Sequence, residues 1–270
     1  MKVGRMFSAV LIALFCASPA WSEVTAAGTK LDPKADQLLR SMSDLHGKSN
    51  NFTFRTSEVH DRMRPTGKMV QAQVTRQATV HRPDGLMFRA SVKAPDAERE
   101  LGLWYDGKTL TLQSDKEKVY SRTKMPPTID DAIDYAGEYL DMPMPMADVF
   151  YSSPYDAMMS PDTTGGYVKL EKIGEKSCHQ LAFQNSVVDW RIWIAEGDQP
   201  LLCQLEITYK LDEGKPKALM TFMDWNFAPE IAADTFAHQP PADFAKIKII
   251  GRVPLNEEQP QTQPQTAPKE

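Results

Sequence analysis

The spacing of apolar positions changes period along the chain. In "DPKADQLLRSMSDLHGKSN" Asp32 precedes Pro33, and Leu38, Leu39 and Met42 share one face. An N-cap followed by proline and a 3.6-residue stripe predicts a short amphipathic helix docked on a larger body. From Phe52 to Tyr120 the period drops to two. "FTFRTSEVH", "KMVQAQVTRQATVHR", "LMFRASVK", "ELGLWY", "TLTLQ" and "KVYSR" are separated by "RPTG", "RPDG", "YDGK" and "SDKEK". Connections this short join antiparallel neighbours. Asp106-Gly107 is the strongest hairpin signal, and a type I′ turn is expected there because both residues tolerate positive φ.

Residues 127 to 159 interrupt the strands. "PTIDDAIDYAGEYL" sets Ile129, Ala132, Ile133, Ala136 and Leu140 on one helical face. Two further short helices are expected around Ala147–Phe150 and Tyr155–Met159. Strands then resume in "GGYVKLEKIGEKSCHQLAFQ", "DWRIWIAE", "LCQLEITYK" and "KALMTFMDWNF". The order is helix, six strands, helical insertion, then about five strands. An antiparallel sheet of roughly ten strands curls or closes, and the N-terminal helix and the insertion are the segments able to cover its concave side.

"DMPMPMADVFYSSPYDAMM" (141 to 159) gathers five methionines on a proline-broken segment. Methionine is unbranched and polarizable, so Met142, Met144, Met146, Met158 and Met159 either line an adaptable cavity or fill gaps between helix and sheet. Pro143 and Pro145 stop the insertion from becoming one long helix. Trp104, Trp190, Trp193 and Trp225 belong to the core or to a cavity wall.

The first 22 residues carry Lys2 and Arg5, an apolar run from Met6 to Ala17, and small residues at Ala20 and Ser22. This reads as a secretory signal cleaved before Glu23. The run falls short of the roughly 20 residues a spanning helix needs, so an exported chain is expected. Phe15 before Cys16 does not fit a lipobox. Removing two basic residues takes the net charge from -5 to -7, and an acidic chain without basic clusters argues against nucleic acid. Cys178 and Cys203 then remain. An oxidising compartment invites a disulfide, yet the two lie on predicted strands that flank a third, about 10 Å apart where roughly 7 Å is the limit. The pairing stays open. From Asn256 onward "NEEQPQTQPQTAPKE" is polar and proline-rich, as in disordered tails, which leaves 23 to 255 as one expected domain.

Enzyme signatures are missing. There is no G-x-S-x-G, P-loop, H-E-x-x-H or C-x-x-C, and the five histidines have no partner at ligand spacing. No cofactor, no metal and no catalytic residues are expected.

"RPDGLMFR", "WYDGKTLTLQSDKEKVY" and "DTFAHQPPADFAKI" resemble segments of the periplasmic lipoprotein carriers of the LolA/LolB superfamily. The longer pattern, from "LDPKADQLLRSMS" through the methionine-rich insertion to "CHQLAFQNSVVDWRIWIAEGDQPLLCQLEITYK", resembles the DUF2092 family of predicted periplasmic proteins over most of residues 31 to 250. These resemblances imply an α+β fold: an incomplete, strongly curved antiparallel half-barrel of about 11 strands, covered by an N-terminal helix and a central helical lid. They imply a lid latch at Arg82, in the Arg-Pro element, and a cavity for acyl chains. Met142, Met144, Met146, Phe150, Met158, Met159, Trp104 and Trp193 are its candidate lining and lid residues. The implied role is a monomeric periplasmic carrier of lipid or acylated lipoprotein, working with a membrane-anchored donor or acceptor. The alternative is an RseB-like sensor that binds a lipid or protein signal with a filled interior. The methionine-rich insertion is longer than in the LolA pattern.

Overall fold

The computed structural model describes residues 31–249 apart from residues 65, 96, 143 and 145. The expected signal peptide, the polar tail, Pro143 and Pro145 therefore lie outside the described residues. Helix α1 (Pro33–Gly47) begins as its sequence requires, with the Asp32 carboxylate accepting from the Lys34 amide and Pro33 in the first turn. Strands β1 (Asn51–Met63), β2 (Met69–His81), β3 (Gly85–Ala94), β4 (Ala97–Tyr105), β5 (Thr109–Ser114) and β6 (Val119–Lys124) follow as a meander. Then come α2 (Ile129–Leu140), a 3-10 turn (Ala147–Val149) and α3 (Pro154–Met158). A second meander contains β7 (Thr164–Ile173), β8 (Lys176–Gln184), β9 (Val188–Ala195), β10 (Leu202–Tyr209) and β11 (Lys217–Asn226), and β12 (Ala245–Lys246) ends the series.

All twelve strands form one sheet in the order β12-β6-β5-β4-β3-β2-β1-β11-β10-β9-β8-β7, which does not close into a barrel. The two meanders join where β1 pairs antiparallel with β11. Alternation sends Phe52, Phe54, Ala78, Val80, Leu103 and Ile192 to an inner face, where they form a core with α1, α2 and the 3-10 turn. The Asp106-Gly107 hairpin is present, but its turn is not type I′. Only Gly107 has positive φ (+78°), and the Asp106 carboxylate accepts from the amides of Lys108 and Thr109 at 3.0 and 2.7 Å. An Asx turn supplies the closure that a second left-handed residue would otherwise give.

The segment "DTFAHQPPADFAKI" crosses the outer face of the sheet as an irregular strap, because prolines lack the N–H that pairing needs. Phe236 packs against Gly85, where any Cβ would lie 2.7 Å from its ring. The His238 ring stacks on Trp104 with centroids 3.6 Å apart. The strap ends at β12, which pairs parallel with β6 and brings the strands among the described residues to twelve, in line with the expected number of about eleven.

His46, on α1, is fully buried among Trp225, Phe227 and Phe52, with ring centroids 4.5, 5.6 and 6.3 Å away. Neither ring nitrogen has a partner. Burial, helped by the Arg82 charge, pushes its pKa down to about 3. The unfolded chain protonates this ring near 6.5, so between those values the unfolded state binds the extra proton. The stability that neutral His46 contributes is complete above pH 6.5 and drains away as pH falls toward 3. The loss reaches about 2 kcal/mol by pH 5. Asp148, whose carboxyl burial raises to about 6, acts in the opposite sense. Urea denaturation at pH 7.5 and pH 5 should therefore show His46→Phe to be less acid-sensitive than the wild type; equal acid sensitivity would contradict this account.

Candidate functional site: a lidded cavity

The insertion between β6 and β7 is built to be short-jointed. Thr128 caps α2 by accepting from the Asp131 amide, and α2 turns Ile129, Ala132, Ile133 and Ala136 onto the sheet. Asp141, at φ 48°, ends the helix, and Met146, at φ 63°, opens the 3-10 turn. Two non-glycine residues in the left-handed region, where such residues are uncommon, break the segment into separate pieces. Ser153 then caps α3, with Pro154 in its first turn.

Beneath these pieces lies a cavity of about 390 Å³ against β2 to β6. Strand register arranges its floor in rows. Arg76, Ala90, Leu101, Ser114 and Val119 stand side by side across five strands, and Phe88, Leu103, Leu112 and Ser121 form the next row. The roof is Ile133, Met142, Met144, Ala147 and Phe150. Leu101 and Ile247, 40% and 48% exposed, mark the mouth. A second hollow of about 330 Å³ lies on the other side of Met144, against β9 and β10. A groove of about 530 Å³ between α1 and the β9–β10 turn is wider, but it carries Asp44, Lys48 and Asp198 and lies away from the lid.

Arg82 ties the β2–β3 turn to the insertion. Its Nη1 and Nη2 donate to the Phe150 and Tyr151 carbonyls at 2.6 and 2.8 Å. Burial lowers its pKa, with the Asp130 charge opposing that shift. The same turn carries the start of α2, since Pro83, after a cis peptide bond, accepts from the Ile129 amide at 2.7 Å. Other ties fasten the far end of the lid. Ser152 N donates to Asp130 at 3.0 Å, the Tyr151 hydroxyl donates to Asp134, and the Tyr155 amide donates to Ser43 Oγ on α1 at 2.9 Å.

The family model for DUF2092, described as a predicted periplasmic protein, matches residues 35–250. The chain belongs to the DUF2092 family. The periplasmic location expected from the sequence agrees with that description. No curated protein sequence matches it. Among solved structures it is similar to the lipoprotein LppX from Mycobacterium tuberculosis, at 11% identity and TM-score 0.46, over 74% of this chain and 100% of that one. It is also similar to LprF from Mycobacterium bovis, at 12% identity and TM-score 0.45, over 77% and 100%. A LolA superfamily protein from Nitrosomonas europaea gives 8% identity and TM-score 0.34, over 75% and 96%.

In this DUF2092 protein the candidate residues separate into groups. Met142, Met144 and Phe150 line the main cavity, whereas Met146 and Met158 join Met144 at the second hollow. Met159 packs on the core and lines neither. Two tryptophans depart from expectation because strand alternation turns them outward. Trp104 stacks under the strap's His238, and Trp193 forms a small outer cluster with Cys178, Ala195 and Cys203, its indole donating to Glu171 at 2.8 Å. Cys178 and Cys203 do flank β9, and both are buried thiols. A bulge between Leu202 and Gln204 turns Cys203 toward Cys178. Each thiol donates to the carbonyl two residues before it, Lys176 at 3.7 Å and Leu201 at 3.6 Å, and the closeness of the two sulfurs lowers the Cys178 pKa and raises that of Cys203.

A charged cluster at the cavity wall was missed. Glu58, 2% exposed, pairs with Arg76, and His60 Nδ1 lies 2.8 Å from its other oxygen. The period-two series Phe52, Phe54, Thr56, Glu58 places this carboxylate on the inner face, so the signal was present.

Replacing Arg82 by methionine leaves two carbonyls without donors, at an expected cost of about 2–4 kcal/mol. Hydrogen exchange should then speed up by about tenfold or more in α3, while β8 and β9 keep their protection. Unchanged α3 protection would remove the latch role.

Proposed function

We propose that this protein is a periplasmic carrier that holds acyl chains of a lipid or lipoprotein in the cavity beneath the lid. The observation that carries this reading is the apolar hollow of about 390 Å³ roofed by Ile133, Met142, Met144, Ala147 and Phe150, a volume within the range of small-molecule sites. Each buried methylene contributes about 0.8 kcal/mol, so part of one chain gives useful affinity without any reactive group. No His, Cys, Asp or Glu occurs among the described residues lining the cavity, which supports binding rather than catalysis and calls for no cofactor. Methionines on the roof adapt to different chain shapes. The segmented lid, held by Arg82 at Phe150 and Tyr151, supplies a door. On this reading Arg82 is the latch. The protein works as a monomer, and a membrane-anchored donor or acceptor opens the latch to pass cargo. The sensor alternative calls for a filled interior, and the open cavity favours the carrier.

Purification of the mature protein from its native compartment, followed by mass spectrometry of extracted lipid, should find acyl species near one per chain. Ala90 stands on the cavity floor between Arg76 and Leu101. Ala90→Phe fills space worth at least two methylenes, and retained lipid should drop by about tenfold with the circular dichroism spectrum unchanged. Equal lipid content in the two proteins, or none in either, would refute the carrier.

A further inference from the structure

The wall of the cavity contains one charged residue among the described lining residues. Arg76 is 13% exposed and is paired with Glu58, itself 2% exposed, in a floor that is otherwise uncharged. A pair of this kind contributes little to stability, because well-packed apolar residues of similar volume do as well or better. Burial works against the Glu58 charge, yet His60 and Arg76 together hold its pKa below the ordinary glutamate value, so the pair is ionised. Glu58 engages only Nη1 of the Arg76 fork, and a guanidinium carries five donors suited to planar carboxylate and phosphate groups. Arg76 belongs to the same row as Leu101, which marks the mouth, while Phe88, Leu103 and Leu112 line the deeper row beneath the lid. Arg99 stands two strands away on the same face as Leu101 and Leu103, its Nε 3.5 Å from Glu117. The described lining is thus apolar under the lid, with its one charged side chain in the row that reaches the mouth.

We infer that the cavity selects amphiphiles with an anionic headgroup, a carboxylate or a phosphate, which Arg76 binds at the mouth while the chain lies under Phe150. This rests on the carrier reading and gives it a ligand class. Displacement of the uncharged fluorescent probe N-phenyl-1-naphthylamine can test it, with dodecanoate, dodecyl phosphate, dodecanol and inorganic phosphate as competitors. The wild type should prefer the two anionic amphiphiles over dodecanol by about tenfold, and inorganic phosphate should displace nothing. Arg76→Gln alone leaves the buried Glu58 carboxylate without its guanidinium, so the informative variant is Glu58→Gln with Arg76→Gln, which removes both charges together. That protein should bind the probe normally and lose the preference. Glu58→Gln alone frees Arg76 and should widen it. Probe binding without headgroup preference, or a preference that survives in the double variant, would overturn the inference and leave the carrier reading intact. Displacement of dodecanoate by inorganic phosphate would assign Arg76 to a free anion instead. Failure of every amphiphile and of the probe to bind would sink both readings.

Discussion

A sheet of twelve strands has more apolar inner face than helices of 15, 12 and 5 residues can cover. Closing the sheet would solve this, but here it stays open, so the helices decide which part is filled. Helix α1 packs against β7, β9 and α3 and fills the C-terminal half. Helix α2 covers the end of the N-terminal half where the β2–β3 turn and Tyr105 hold it, the latter through a hydrogen bond to the Pro126 carbonyl. Between these two supports β2 to β6 present Phe88, Leu103 and Leu112 to an empty space. The cavity is therefore a consequence of element lengths and not of any special lining chemistry.

Such a space persists only if the chain above it is anchored without being driven inward. The lid is held by polar ties at its edges, Arg82 to Phe150 and Tyr151, and Asp130 to Ser152. Hydrogen bonds fix distance in a way that apolar contact does not, because their strength depends on geometry. Arg82 reaches two successive carbonyls from a half-buried position, where the lower local dielectric strengthens both bonds. Apolar contact alone would favour collapse of Met142, Met144 and Phe150 onto the floor. The outer strap has a parallel task. His238 on Trp104 and Phe236 on Gly85 brace the strands whose inner face is hollow.

Much of this was legible in sequence, for physical reasons that differ by element. Helix α1 and the helix at Ile129–Leu140 were visible because capping and a 3.6-residue period are local. The meanders were visible because short polar turns and alternation are local too. Arg82 came from resemblance, and its partners could not have been read from the chain, since they lie almost seventy residues away. Trp104 and Trp193 were misplaced because large apolar residues occupy both faces of β4 and β9, and alternation alone does not say which face is inner. The strap then consumes the outer one. Cys203 was placed on the right strand, but a bulge, which leaves little trace in composition, decides where its thiol points. The Glu58–Arg76 pair was overlooked for the opposite reason, since attention to apolar periodicity passes over a charged residue that keeps the period.

The methionine-rich segment is best understood through Met144, which stands between the two hollows and lines both. A branched side chain there would be a fixed partition, because two heavy atoms on Cβ restrict rotation. Methionine can swing without backbone movement, and it follows Asp141 and precedes Met146, the two left-handed joints of the lid. Displacement of this one side chain would change the volume of both hollows at once. The useful volume is thus set by a soft wall. On the proposed carrier reading, this lets one rigid sheet accept chains of different length or number, with the adjustment confined to a segment that the strand framework does not depend on.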